Sequence, residues 1–377
     1  MKLRWHLTKI GGFFLAGLLA LPASPAWAGK AVIFPGHENG RVKGFDQVNV
    51  EMFRPHPLGS VLYSETWGHL LQFEAQDIIL IVAFQLHNLG LRRGNLNVSA
   101  IVSDGSAEKI FEVNYFTPGE IKIVEQGFGI SAGDHRIELL GDRYRIRFQG
   151  KKIQAEFLCP ILTGSFQLGD GRLTFPDSED FARLTFPIPW AEAEGTLTYN
   201  GKTFTLKGWC TMTHDGQVLS PARVMNDGRA FWLYTDQAVI LADKLTSPAL
   251  EGQWVQRLIL AEPGRILFSS HEFTLEELDS QPVPAGRVPL PSRFRVEAVH
   301  GEDWLRGEIK VRRIQQTADV MAELPGFLKK LVEMFMNETW AYLLWVDFRF
   351  EFHQDGKTRV IEGVGSGNYI ESIKTSP

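Results

Sequence analysis

Cysteine is almost absent from this chain: Cys159 and Cys210 are the two thiols in 377 residues. A disulfide-rich scaffold is therefore excluded, and because no Cys-x-x-Cys pair exists, so is a cysteine zinc site. In an oxidising compartment the two thiols either pair or stay buried and free. An excess of charge is also lacking. The formal net charge is −5, and no segment gathers the basic side chains that a nucleic-acid partner requires. The sequence has no HExxH, no Walker loop, and no GxGxxG following a strand. The ten histidines are scattered, with no pair at ligand spacing on one recognisable element, so neither a metal nor a cofactor is expected. Gly363-Val364-Gly365-Ser366-Gly367 is glycine-rich, but no helix comes after it. It reads as a bulge or tight bend rather than a phosphate cradle.

Long apolar runs are missing except at the start. Lys2, Arg4 and Lys9 precede the apolar stretch Gly11 to Leu21, which Pro22 and Pro25 break. Ala26-Trp27-Ala28 then places small residues where a signal peptidase reads them, so cleavage after Ala28 is expected. The run falls short of the roughly 20 residues that span a bilayer. The chain is thus expected to be exported, to a periplasm or beyond, with residues 1–28 removed.

Period-two alternation dominates the remainder of the chain. Arg143-Tyr144-Arg145-Ile146-Arg147-Phe148-Gln149 and Val346-Asp347-Phe348-Arg349-Phe350-Glu351-Phe352 alternate charged with apolar side chains. Each has the pattern of a strand with one wet face and one dry face. Ile78 to Phe84 is continuously apolar, as in a strand covered on both sides. Asn200-Gly201 joins two such patterns and suits a type I′ hairpin turn, whose central residues both need positive φ. Asp104-Gly105, Gly169-Asp170-Gly171, Asp227-Gly228 and Asp355-Gly356 mark further turns. Many short strands at this spacing predict an all-β antiparallel sandwich or barrel.

One segment breaks the pattern. Asp319 to Leu344 carries Met321, Leu324, Phe327, Leu328, Leu331, Val332, Phe335 and Met336 at spacings of three and four. It predicts an amphipathic helix, either packed on the barrel or serving as a lid or membrane-surface contact. Four prolines between Ser280 and Pro291 predict an extended connection inside the second half. The better division falls at Phe186 to Trp190, giving domains 29–190 and 191–377.

Two clusters could carry chemistry. Lys207 to Gly216 places Trp209, His214 and Asp215 together near a strand end, and Trp232, Tyr234 and Asp236 come next on one face by parity. A histidine beside a carboxylate can take or give a proton, although His-Asp-Gly is equally an ordinary turn. Tyr63 to His69 puts Glu65, Trp67 and His69 on one face, which either lines a barrel interior or forms a solvated edge.

Four features in order resemble the lipocalin-like group that contains AttH-type proteins, carotenoid hydratases and yeast survival-factor proteins. They are Glu65-Thr66-Trp67; Asn88-Leu89-Gly90 after the apolar strand; Gly208-Trp209 to His214-Asp215-Gly216; and Gly363 to Tyr369-Ile370-Glu371. The resemblance spans about residues 45 to 373. It implies two consecutive lipocalin-like barrels and a cavity for a large apolar molecule. In the hydratases it implies a reacting His, here His214, and a Tyr/Asp pair, here Tyr234 and Asp236. The Trp of that pattern two residues after the His is replaced by Gly216, which moves the chain toward the AttH-type and survival-factor branches. The leading expectation is an exported carrier of a lipid or isoprenoid, with Glu65, Trp67, Trp209, His214, Trp232 and Tyr234 lining its cavity. The alternative is a hydratase or cyclase in which His214 and Asp236 deliver a proton. A ligand-free envelope module is the third reading.

Overall fold

The computed structural model describes residues 42–45, 47–88, 93–106, 110–124, 127–175, 180–218, 227–247, 250, 252–283, 289–319 and 338–373. The expected signal segment and the body of the expected helix lie outside them. The protein is all-β and antiparallel, with two curled sheets.

The first sheet uses β1 (Val42–Gly44), β2 (Tyr63–Phe73), β3 (Ile78–His87), β4 (Asn95–Ser103), β5 (Ile110–Phe116), β6 (Ile121–Val124), β7 (Gly129–Ala132), β8 (His135–Leu140), β9 (Arg143–Gln149), β10 (Ile153–Pro160), β11 (Phe166–Thr174), β12 (Phe181–Tyr199) and β13 (Lys202–Val218). Its order is β5-β4-β3-β2-β13-β12-β10-β9-β8-β7-β6, with β11 and β1 added beyond part of β12. The second sheet uses β14 (Asp227–Tyr234), β15 (Val239–Thr246), β16 (Val255–Glu262), β17 (Arg265–Ser270), β18 (Thr274–Gln281), β19 (Leu290–His300), β20 (Asp303–Asp319), β21 (Glu338–Gln354) and β22 (Lys357–Ile373). Its order is β17-β16-β15-β14-β22-β21-β20-β19-β18. The first curls into a near-barrel and the second into a half-barrel.

The Asn200-Gly201 hairpin joins β12 to β13, with φ of 49° and 72° at the two turn residues. The expected division at Trp190 falls inside β12; the chain passes from the first sheet to the second between Val218 and Asp227. The helix expected over Asp319 to Leu344 is corrected at both ends. Asp319 closes β20, and Glu338 to Leu344 lie in β21, paired on one side with β20 and on the other with β22. Hydrogen bonding on both edges overrides the three-and-four spacing that these residues continue. Among the described residues helix is confined to short 3-10 turns.

Strand parity sorts the apolar side chains into three layers. On β13, Leu206, Cys210 and Met212 enter the interior of the first sheet with Phe53, Trp67, Phe128 and Tyr144. Phe231, Leu233, Phe294 and Tyr342 fill the second. Between the sheets lies a third core, where Leu184, Phe186 and Trp190 of β12 meet Tyr234, Leu241 and Ile259. β12 serves both layers because its alternate side chains face opposite sides, Ala191 and Ala193 toward the first sheet's interior and Leu184, Phe186 and Trp190 toward the third core. The two register shifts between Thr185 and Ala191 turn over only the stretch between them, where Ile188 enters the first. Each fully buried large side chain contributes roughly 1.5–3 kcal/mol, so this contact is a core rather than a loose hinge. Polar ties cross it as well: Gln72 Nε2 donates to the Trp232 carbonyl (3.3 Å), and Gln315 Nε2 donates to the carbonyls of Asp77 (3.0 Å) and Ser103 (2.9 Å).

Candidate active site

β13 is a wall shared by two environments. Alternate residues of a strand point to opposite faces, so His214 enters the first barrel and Asp215 faces the second sheet.

On the inner side, His214 stands opposite Trp67 of β2 in register, and the two rings stack with centroids 4.6 Å apart and planes 15° apart. His214 Nδ1 donates to the Met52 carbonyl. Its Nε2 lies 2.9 Å from Glu65 Oε1, an ion pair when the imidazole is protonated. Glu65 also accepts from the His56 backbone N–H (2.8 Å) and from the Tyr63 hydroxyl, and its Oε1 is 3.2 Å from His56 Nδ1. Burial pushes the Glu65 carboxyl up, but the bonds from His214, His56 and Tyr63 outweigh it and hold the group well below the usual carboxylate range. Trp67 Nε1 donates to the Phe53 carbonyl at 2.8 Å. These bonds pin the turn Val50–Phe53 into the barrel, with Met52 and Phe53 buried. Deeper in, His69 Nδ1 donates to the Val82 carbonyl (3.0 Å), so Nε2 accepts from the Tyr144 hydroxyl at 3.1 Å. Burial lowers the His69 pKa to about 4, which keeps the ring neutral. The face shared by Glu65, Trp67 and His69 is therefore the barrel interior, and it is filled.

On the outer side, a cavity of about 100 Å³ lies between the sheets. Thr211, Thr213 and Asp215 of β13 line it from one side, and Trp232 of β14, Asp243 of β15 and Arg257 of β16 from the other. The Asp215 carboxyl accepts from the Thr213 hydroxyl at 3.1 Å. Burial raises its pKa to about 6, against the opposing pull of Arg257 and Thr213. Asp243 and Arg257 face each other in register. Arg257 Nε lies 2.9 Å from both Asp243 carboxylate oxygens, and Nη2 donates to Oδ2. The guanidinium rests 4.6 Å from the centre of the Phe186 ring. Burial pushes the Asp243 carboxyl up despite that partner.

The residues singled out in the sequence are thus divided. Trp232 lines the cavity. Tyr234 sits one layer away, its hydroxyl bonded to Thr211 Oγ1, and Trp209 stacks on it at 6.0 Å. Glu65, Trp67 and His214 belong to the barrel interior. Asp236 joins neither group. β14 ends at Tyr234, and Thr235 Oγ1 accepts from the backbone N–H groups of Gln237 and Ala238, closing a turn that leaves Asp236 exposed. The carboxylate beside His214 is Glu65, not Asp236. Asp243 and Arg257 are not evident from motifs. Their signal is a charge that ends an apolar run in each of two strands, Asp243 after Val239-Ile240-Leu241-Ala242 and Arg257 before Leu258-Ile259-Leu260-Ala261.

The sequence matches no protein-family model and no curated protein. Solved structures do match. Kievitone hydratase from Nectria haematococca aligns over 89% of this chain and 97% of its own, at 16% identity and a TM-score of 0.53. A putative AttH from Nitrosomonas europaea aligns over 93% and 98%, at 13% identity and 0.54. CghA, solved with Sch210972, aligns over 89% and 99%, at 13% identity and 0.59. The likeness runs through both sheets and nearly the full length of each neighbour. This chain has the tandem-barrel, lipocalin-like fold of the AttH group.

Proposed function

We propose that the protein is a hydratase- or cyclase-type enzyme that acts on an olefinic, largely apolar substrate in the cavity between the sheets, with Asp215 as the acid. The observation that carries this reading is the placement of the Asp215 carboxyl at the cavity wall with Trp232, where burial raises its pKa to about 6. A general acid works best when its pKa lies near the working pH. A hydratase among the proteins of this fold supports the same class. His214, sealed between Trp67 and Glu65, acts in this reading as a positioning residue for the barrel and not as the proton donor.

In the proposed step the Asp215 carboxyl transfers its proton to one alkene carbon, forming a C–H bond and leaving a tertiary carbocation on the other. The faces of Trp232 and neighbouring rings favour that cation. Water then adds to it, and the proton released returns to the Asp215 carboxylate. If a second alkene within the substrate attacks instead, a ring closes and a proton leaves to the same carboxylate. About 100 Å³ is below the 300–1,000 Å³ of pockets for drug-sized ligands. It suits the reacting segment of a substrate better than a whole stored lipid, which weighs against the carrier reading. The leader segment supports export of this enzyme.

The test is turnover of prenylated phenols and linear terpenoids by the purified protein, monitored by mass spectrometry. Hydration adds the mass of water, and cyclisation leaves the mass unchanged with a shifted retention time. Asp215→Asn is expected to lose at least about 100-fold in rate, the lower end for a general acid. Binding without turnover across the panel would return the protein to the carrier class.

A further inference from the structure

The cavity has direction. Along β2 and β13 the facing pairs run Leu70 with Thr211, Gly68 with Thr213, and Thr66 with Asp215. Ile81 of β3 stands beside Leu70, and Leu343 of β21 closes the same end from the second sheet. Four residues of strand separate that apolar end from Asp215, about 13 Å at 3.3–3.4 Å per residue. Gly68 and Ala230 line the stretch between with almost no side chain. At the far end stand Asp215, Asp243 and Arg257.

The charged end holds a donor with nothing to give to. Arg257 is 5% exposed. It uses Nε and Nη2 on Asp243, while its buried Nη1 has no acceptor among the described residues. Leaving a buried charged donor unpaired is costly, and a ligand that brings an acceptor removes the cost. An ammonium ligand brings none, and a pure hydrocarbon leaves Nη1 as it is. A carbonyl oxygen can accept from the guanidinium Nη1 and leaves the Asp215 proton free for the alkene.

We infer that the substrate is amphipathic, with an apolar end among Leu70, Ile81 and Leu343, a carbonyl-type oxygen held by Arg257, and the reacting alkene between the two, within reach of the Asp215 carboxyl. This rests on the reading of the cavity as the substrate site. Arg257 is then a specificity residue, and Asp243 holds it in place.

A matched pair of probes tests it: 6-methylhept-5-en-2-one, a short prenyl ketone, against 2-methylhept-2-ene, which lacks the carbonyl. The ketone is expected to bind the wild-type protein about tenfold more tightly, the effect of one added charge-assisted hydrogen bond, and its C=O stretch is expected to move to lower frequency on binding. Arg257→Lys keeps a cation beside Asp243 but loses the fork of N–H donors, and is expected to bring the two affinities within about twofold. Equal affinities in the wild type, or an unshifted C=O stretch, overturn the oxygen assignment and leave the cavity reading standing. An unchanged ketone preference in Arg257→Lys overturns the role of Arg257. If neither probe binds, the cavity is not the substrate site and both readings fall.

Discussion

Asp215→Asn offers a prediction in which stability and activity move in opposite directions. The folded protein raises the Asp215 pKa from 3.8 to about 6. At 1.36 kcal/mol per unit, a shift of about two units amounts to about 3 kcal/mol. Where the proton sits decides the sign. Below pH 3.8 both folded and unfolded chains hold it, and the group costs nothing. Between 3.8 and 6 the unfolded chain releases it while the folded chain keeps it, so stability falls as pH rises. Above 6 the full cost of ionising the cavity carboxyl is present. Asparagine cannot ionise. The variant is therefore expected to match the wild type near pH 3.5 and to exceed it by up to about 3 kcal/mol at pH 7.5. With an unfolding entropy of roughly 2.1 cal/mol/K per residue, the melting temperature rises by about 4 °C. Thermal melts of both proteins across that pH range make the comparison, and the same samples serve for turnover. An Asn variant that is less stable at pH 7.5, or whose advantage does not grow with pH, refutes the account of a desolvated acid at this wall.

Glu65→Gln is expected to act in the opposite sense. The Glu65 pKa is depressed, so its stabilisation is present above about pH 4.5 and is lost as pH falls below it. Removing the carboxylate charge that accepts from the His56 backbone N–H and the Tyr63 hydroxyl is expected to cost about 1.5–3 kcal/mol at pH 7, the range for a hydrogen bond to a charged group, with the gap narrowing toward pH 3 in urea titrations. Cys159 and Cys210 are free and buried. The Cys159 thiol is pushed well above the usual range by its bond to Cys210 and by burial, so neither thiol is expected to react with an aromatic disulfide reagent until the protein is denatured. Gly208→Ala is expected to abolish soluble expression, because its Cβ would lie 2.0 Å from the Gln72 backbone carbonyl oxygen, a neighbour that cannot rotate away.

Strand identity is legible in the sequence wherever one face is wet. Arg143 to Gln149 and Val346 to Phe352 alternate because water touches one side of each. Alternation also places Glu65, Trp67 and His69 together, as found. It does not say which face of β13 meets the second sheet, because both faces are largely covered: Met212 and His214 pack inside the barrel, and Thr211 lies buried on the other side. That ambiguity makes His214 the conspicuous residue, when its neighbour is the one at the cavity. Parity also fails one step past the end of β14, where Thr235 closes the strand and turns Asp236 to solvent. Near the C-terminus, Trp340, Leu343 and Leu344 continue the helical spacing from Met336 by accident of composition. Only the pairing of β21 with two neighbours, a long-range fact, decides in favour of strand.

The placement of His214 and Asp215 on opposite sides of one strand bears on how this chain can change over generations. A strand shifted by a single residue turns every side chain over. Losing or gaining one residue between the Asn200-Gly201 turn and Asp215 would send the acid into the packed barrel and the imidazole into the cavity, disabling both sides at once. Substitutions along this stretch can be tried one position at a time, but changes of length cannot. In related chains, this segment is expected to keep its length longer than it keeps its letters.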